Sequence, residues 1–343
     1  MRHAPFCSIV PPHILDAISR NGTPDERRSA WATLALSERL RGMRPVLGAL
    51  PVATPVGEKR RDVFDGHHGT KLPGKLVRAE TDPESTDVAV NEAFDGAGAT
   101  YDLYFDVYGR NSIDDKGMRI DSTVHYGSGY DNAFWNGAQM VYGDGDGKLF
   151  GRFTVSVDVI GHELTHGVTA HEANLDYQDQ PGALNESISD VFGSLVKQRV
   201  LGQTAAEADW WIGEGLFTSR VHGTALRSMK APGTAYDDPV LGKDPQPADM
   251  KDYDQTTDDD GGVHINSGIP NHAFYLAATA IGGQAWEKAG KIWYVALRDR
   301  LRATSDFAAA ARLTAAVAEE LYGKGGAEAK AVRAAWQSVG VKA

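Results

Sequence analysis

Two histidines four residues apart constrain this chain more than any other feature. They lie in His162-Glu163-Leu164-Thr165-His166. On a helix, residues i and i+4 sit one turn apart on the same face, so both imidazoles can reach one zinc ion at about 2.0–2.1 Å. Glu163 projects beside that face, near enough to contact a metal-bound water without ligating the metal. A catalytic zinc takes three protein ligands and keeps one position open, so a third ligand must come from another element. Leu184-Asn185-Glu186-Ser187-Ile188-Ser189-Asp190 supplies one on a second predicted helix. Glu186 and Asp190 share a face there, so Glu186 can ligate while Asp190 accepts a hydrogen bond from a ligating imidazole. The five-residue pattern alone also occurs on surface helices with two solvated histidines. The carboxylate-bearing helix downstream is what favours a metal centre.

The bulk numbers leave room for such a centre and exclude other classes. The chain has 343 residues, enough for two cores, with 42% hydrophobic and 24% charged residues, as expected of a globular protein. Its net charge of -11 repels phosphate backbones, so nucleic acid is not an expected partner. The acidic excess serves solubility or binds a hard cation such as calcium. Cys7 is the one cysteine, so no intrachain disulfide can form. No run of about 18 apolar residues occurs, and no membrane span is expected. The first ten residues lack the apolar run of a secretory signal, and Pro5, Pro11 and Pro12 would break one. The expectation is a cytoplasmic precursor, with later export by a non-classical route left open.

Along the chain, Ile14 to Met43 reads as helical, broken at Asn21-Gly22-Thr23-Pro24, where Thr23 can cap the next helix. Ala30, Trp31, Leu34 and Leu40 follow its apolar spacing. Arg44 to Gly57 is rich in Pro, Gly and small residues and reads as a linker. Arg60 to Gly151 reads as strand-dominated with some helix, Leu103-Tyr104-Phe105-Asp106-Val107-Tyr108 being one β-type run. After Thr154 the pattern becomes helical, over Val155 to His171, Leu184 to Val200, and Ala-rich segments from Pro270 to the end. The predicted class is α+β, a strand-rich half followed by a helical half.

Several ordered blocks now point to a family. They are Asn132-Ala133-Phe134-Trp135-Asn136-Gly137, Val141-Tyr142-Gly143-Asp144-Gly145, the His162–His166 run, Gly182 to Asp190, Leu226-Arg227-Ser228-Met229, and Gly261 to Gly268. Together they make the chain resemble the thermolysin family of zinc metallopeptidases from about Arg60 onward. Ser8-Ile9-Val10-Pro11-Pro12 followed by helix is similar to the short propeptide of the protealysin-like branch. The resemblance implies a two-lobed fold with the zinc site in the cleft. It divides the chain into propeptide and linker (1–50), a strand-rich lobe that includes the zinc helix (51–175) and a helical lobe (176–343). It implies an endopeptidase made as a zymogen, inhibited by its own propeptide and acting on peptide or protein substrates; a monomer is expected. His162, His166 and Glu186 become the zinc ligands, with Asp190 behind them. Glu163 becomes the general base that activates a zinc-bound water. His264 and Tyr177 stabilise the tetrahedral species, and Asp259 orients His264. Arg227, Asn132 and the Ala133 carbonyl hold the substrate backbone. His67, His68, His125, His171 and His222 match no family position.

By the same resemblance Phe150, Phe153, Val159, Ile212 and Leu226 line the pocket for the residue after the cut, so cleavage before hydrophobic residues is expected. Phe153 is bulkier than the family's usual aliphatic, which favours Leu or smaller over Phe. Asp158, Asp209 and Glu214 match part of a double calcium site. Lys197 and Trp211 replace two other positions of that site, and Thr224 stands for an expected aspartate elsewhere. A lysine there can neutralise the same carboxylates, so at most one calcium ion is expected. Cys7 is either a propeptide thiol in the open zinc position or an incidental buried thiol; the sequence leaves both open. Self-cleavage is expected between Arg44 and Gly57, before Val46, Leu47 or Leu50. An aminopeptidase would need a carboxylate for the substrate amine, and no clear block supplies one. A non-catalytic zinc protein has no physical need for Glu163, His264 and Tyr177.

Overall fold

A computed structural model describes residues 7–42 and 55–342. The expected self-cleavage positions Val46, Leu47 and Leu50 lie outside the described residues. The chain opens with the two-residue strand β1 (Cys7–Ser8), then helices α1 (Pro12–Asn21) and α2 (Pro24–Gly42). Thr23 does cap α2: its N–H donates to Glu26 Oε2 at 2.8 Å, and its hydroxyl faces the Glu26 N–H at 3.5 Å. This is the reciprocal arrangement of a capping box. Ala30 packs inward, but Trp31 is 60% exposed, so the apolar stripe expected of this helix is narrower than the spacing implied.

The first lobe carries β2 (Arg61–Asp65), β3 (Lys75–Arg78), β4 (Ile120–Val124), β5 (Ala133–Trp135) and β6 (Met140–Tyr142). With β1 they form one mixed sheet in the order β1-β5-β6-β4-β2-β3. The N-terminal segment is therefore an edge strand of the main sheet, antiparallel to β5 with Cys7 opposite Trp135 and Ser8 opposite Phe134. The reading of Leu103–Tyr108 as β-type is corrected. Helix α3 (Val88–Asp102) runs directly into a π-helical turn at Leu103–Val107. The aromatic run packs rather than pairs: Tyr104 lies against Phe192 and Tyr294, with ring centroids 5.4 and 6.1 Å away. Tertiary packing overrides local β propensity here.

Helices α4 (Val157–His171) and α5 (Asp179–Leu201) pack against each other, and two glycines permit the close approach. A Cβ on Gly193 would lie 2.4 Å from the Asp158 carbonyl oxygen, and one on Gly161 would lie 3.0 Å from Gly193 Cα. Beyond α5 come short ribbons, including β7 (Trp211–Ile212) paired with β8 (Arg227–Ser228). The helical lobe then runs through α6 (Asp259–Asn266), α7 (Gly268–Ile281), α8 (Ala289–Val295), α9 (Phe307–Tyr322) and α10 (Ala327–Ser338). No described helix is long and apolar enough to cross a membrane.

Candidate active site

α4 and α5 place His162, His166 and Glu186 together, all nearly inaccessible to solvent. The two Nε2 atoms are 3.0 Å apart. Glu186 reaches them with Oε2 at 3.5 Å from His162 and Oε1 at 3.4 Å from His166. The outer nitrogens fix the tautomers. His162 Nδ1 donates to Asp190 Oδ1 at 2.8 Å, and His166 Nδ1 donates to Asn185 Oδ1 at 2.9 Å. Burial lowers the His162 pKa to about 4 and that of His166 to about 3, so both rings are neutral. Each Nε2 then carries a lone pair. Two lone pairs cannot bond each other at 3.0 Å, whereas a cation between them satisfies both. Glu186 Oε2 is buried with no hydrogen-bond partner, again aimed inward. The residues fit a zinc ion, for which two imidazoles and a carboxylate are a catalytic ligand set.

Asp190 is the hub behind these ligands. Besides His162 it accepts from Arg227 Nε and Nη2, both at 2.9 Å, and from Asn271 Nδ2 at 2.8 Å. Burial opposes its charge, but Arg227 and His162 hold the carboxyl well below the usual range. Asn185, Ser189 and Asn271 were not singled out from the sequence. Ser189 Oγ lies 3.1 Å from His166 Nδ1. Asn185 and Ser189 are themselves i, i+4 on α5, the same signal that exposed Glu186 and Asp190.

Glu163 is fully buried, and its Oε2 accepts the Trp135 N–H at 2.9 Å. Burial and then the neighbouring Glu186 push its pKa well above the ordinary carboxyl value. Opposite, Asp259 Oδ1 accepts from His264 Nδ1 at 2.7 Å, and Asp259 Oδ2 accepts the His264 N–H at 3.0 Å. Burial disfavours the imidazolium, but Asp259 outweighs it and raises the His264 pKa to about 9. This loop needs left-handed backbone at Gly261, φ 83°, where a Cβ would lie 2.1 Å from Asp179 Oδ1. The Tyr177 hydroxyl donates to Glu186 Oε1 and lies 3.3 Å from His264 Nε2.

The backbone-binding groups are engaged by the chain's own N-terminal segment. Asn132 Oδ1 accepts the Val10 N–H at 2.9 Å, and Asn132 Nδ2 donates to Val10 O at 3.3 Å. Ala133 O accepts the Ile9 N–H at 3.2 Å, and Arg227 Nη1 donates to Ile9 O at 3.1 Å. Phe150, Phe153, Val159, Ile212 and Leu226 are all buried, and they share one apolar cluster with Ile9 and Val10. Away from the cleft, Lys197 Nζ sits among Asp158, Asp209 and Glu214 at 3.6, 2.9 and 3.2 Å. Its ammonium fills the space between those three carboxylates. His125 is clamped between Asp144 and Asp87, each 2.8 Å from a ring nitrogen.

Comparison with known proteins agrees with this geometry. The family model described as thermolysin metallopeptidase, catalytic domain, matches residues 56–170, and its alpha-helical domain matches residues 173–341. The chain is 51% identical over 343 residues to an extracellular metalloprotease of Pectobacterium carotovorum subsp. carotovorum, covering 100% of this chain and 98% of that protein. It is 44% identical over 289 residues to thermolysin of Bacillus sp. (strain EA1), covering 81% of this chain and 50% of that protein. The structure of the precursor of protealysin, a metalloproteinase from Serratia proteamaculans, superposes with a TM-score of 0.91 at 54% identity, over 98% of this chain and 99% of that one. With both family domains matched in succession and the metal-ligand cradle in place, this chain belongs to the thermolysin family of metallopeptidases, protealysin-like in its short N-terminal segment.

Proposed function

We propose that Glu163 is the general base, that His264 and Tyr177 are the oxyanion donors, and that residues 1 to about 50 are an inhibitory propeptide of this zinc endopeptidase. The observation that carries the reading is the placement of Glu163 and His264 around one backbone segment in the cleft. When bound to His162, His166 and Glu186, zinc supplies a Lewis acid for the scissile carbonyl and an acidified water. Glu163 is placed to take a proton from the attacking water and to deliver it to the leaving nitrogen. The negative oxygen that develops meets the His264 Nε2–H, kept protonated by Asp259, and the Tyr177 hydroxyl. Asn132, Ala133 O and Arg227 align the substrate strand by the same bonds they now make to residues 9 and 10.

Phe150, Phe153, Val159, Ile212 and Leu226 form the apolar pocket behind the cut, with Leu or smaller preferred over Phe. Asp158, Asp209 and Glu214 hold Lys197 rather than two calcium ions, so the calcium count is one at most. The working unit is proposed to be a monomer made in the cytoplasm, with a non-classical route should it be exported. The test is incubation of the purified precursor and its Glu163→Ala variant with casein, followed by mass spectrometry. Wild type should lose about 45–55 residues, the span up to the linker, and then cut casein before apolar residues. The variant should stay whole and inert. A variant that matures and cuts like wild type would remove Glu163 from the mechanism.

A further inference from the structure

Residues 7–10 lie in the cleft in the register of a strand about to be cut. β1 is antiparallel to β5, and the bonds to Ala133, Asn132 and Arg227 fix Ile9 and Val10. The peptide bond between Ser8 and Ile9 is thereby centred on the catalytic groups. His264 Nε2 donates to the Ser8 carbonyl oxygen at 3.2 Å. On the other side, the Ile9 N–H donates to Ala133 O at 3.2 Å, two residues along the strand from Trp135, whose N–H holds Glu163. A donor on the carbonyl oxygen and a carboxyl beside the leaving nitrogen are what hydrolysis requires. Ile9, fully buried and aliphatic, belongs to the class expected after a cut.

A bond so placed needs protection if the precursor is to persist. Cys7, 1% exposed, supplies it. Its sulfur and the ligand atoms of His166 and Glu186 all lie within 4.8 Å of one another. Ligands at about 2.0–2.3 Å on a tetrahedral zinc are roughly 3.5 Å apart, so the sulfur must draw in toward His166 and Glu186, and toward His162 outside that group, to complete the set. Glu186 Oε2, buried without a partner, marks the same spot as a cation position.

We propose that Cys7 is the fourth zinc ligand of the precursor, and that its sulfur shields a latent self-cleavage site at Ser8–Ile9 by filling the position the attacking water needs. The proposal rests on the zinc-peptidase reading above. Without the sulfur, water adds to the Ser8 carbonyl carbon and the bond to the Ile9 nitrogen breaks. Ser8 keeps the new carboxylate, and Ile9 leaves as an amine protonated by Glu163. No other reactant is required.

Two independent readouts test it. In the first, cobalt(II) replaces zinc in the wild-type precursor; a near-ultraviolet sulfur-to-cobalt absorption is expected, and it should vanish in Cys7→Ser. In the second, zinc-loaded Cys7→Ser and Cys7→Ala precursors should lose residues 1–8 and begin at Ile9. That cut should appear at least about tenfold faster than in wild type, and Cys7→Ser/Glu163→Gln should remain whole. A cobalt-loaded wild type lacking the absorption would overturn the ligand assignment. Zinc-loaded Cys7 variants that stay uncut at Ser8–Ile9, while their trimmed catalytic part cleaves peptides, would overturn the register. If trimmed wild type cleaves no peptide at all, it is the peptidase reading that fails, and the cobalt absorption still decides the ligand.

Discussion

Replacing Lys197 by methionine should expose how this chain manages without the metal its acidic cluster would otherwise hold. Asp158 is fully buried, with Lys197 Nζ 3.6 Å away. At that separation two unit charges attract by about 5 kcal/mol at an effective dielectric constant of about 20. Asp209 and Glu214 are 32% and 47% exposed, so their pairs with Lys197 add little, roughly 0–1 kcal/mol each. Breaking a buried pair by removing one partner costs about 3–5 kcal/mol. Burial already pushes the Asp158 pKa up, and Lys197 draws it back. Once the lysine is gone the carboxyl can take a proton instead, which holds the loss near the lower limit, about 3 kcal/mol. With about 2.1 cal/mol/K of unfolding entropy per residue over 343 residues, that is a fall of roughly 4 °C in Tm.

The assay is thermal unfolding of Lys197→Met in a Glu163→Gln background, which prevents self-digestion, with calcium or with chelator. Three carboxylates without their ammonium make an oxygen site for a hard cation. Calcium at about 100 times its Kd would restore about 2.7 kcal/mol, most of the loss, to the variant alone. A fall of less than about 2 °C would refute the reasoning. So would a calcium-dependent rise in the parent, which keeps Lys197, as large as that in the variant.

Other predictions follow from the hub and from His125. Asp190→Asn should weaken zinc binding by about 10–100-fold in chelator competition, because the amide cannot both accept from His162 and pair with Arg227. A change under threefold would show that His162 is oriented by other groups. Asp144, with Asp87, raises the His125 pKa to about 9 against the burial that lowers it. The resulting stability is fully present below pH 6.5, the unfolded value, and is lost as pH rises through about 9. Denaturant midpoints of Glu163→Gln should therefore decline between those values, and His125→Gln should flatten that part of the curve; an unchanged slope would exclude His125 as its source.

The catalytic constellation was legible because its chemistry forces residue types into fixed helical spacing. His162 with His166, and Glu186 with Asp190, announce two helices and the side each presents. His264 and Tyr177 carry no such local pattern and were reached only through the family resemblance. Asn185 and Ser189 bear the spacing but not the charge that draws notice, and their partner His166 is on another helix. Leu103–Tyr108 misled because aromatic and β-branched residues favour strands until a helix such as α3 delivers them to a core that wants large rings. The occupant of the cleft was reached only through the resemblance to a propeptide, and its register could not be read. A two-residue strand has no periodicity, and its partner β5 lies more than 120 residues away.

Inhibition by such a segment should depend on its tether more than on its contacts. Beyond the cleft strand, α1 and α2 hold the body through buried Ile14, Leu15 and Ile18, the ion pairs Arg220–Glu26 and Lys148–Asp25, and neutral bonds: His13 Nε2 is 3.1 Å from the Tyr236 hydroxyl, Ser29 Oγ donates to Gly129 O at 2.9 Å, and Ser37 meets Tyr130 at 3.1 Å. Such neutral bonds contribute about 0.5–1.5 kcal/mol each. While the chain is continuous, the segment sees its cleft at an effective concentration on the order of millimolar. One cut between Gly42 and Pro55 makes docking bimolecular, and at micromolar protein the driving concentration drops about a thousandfold. A synthetic peptide spanning residues 7–42 should therefore inhibit the matured enzyme only at concentrations far above those of enzyme in the assay. A precursor nicked in that interval should gain activity steeply on dilution. If the nicked species stays silent at nanomolar concentration, the contacts alone hold the cleft shut, and the zinc-bound sulfur proposed for Cys7 is the first of them to remove.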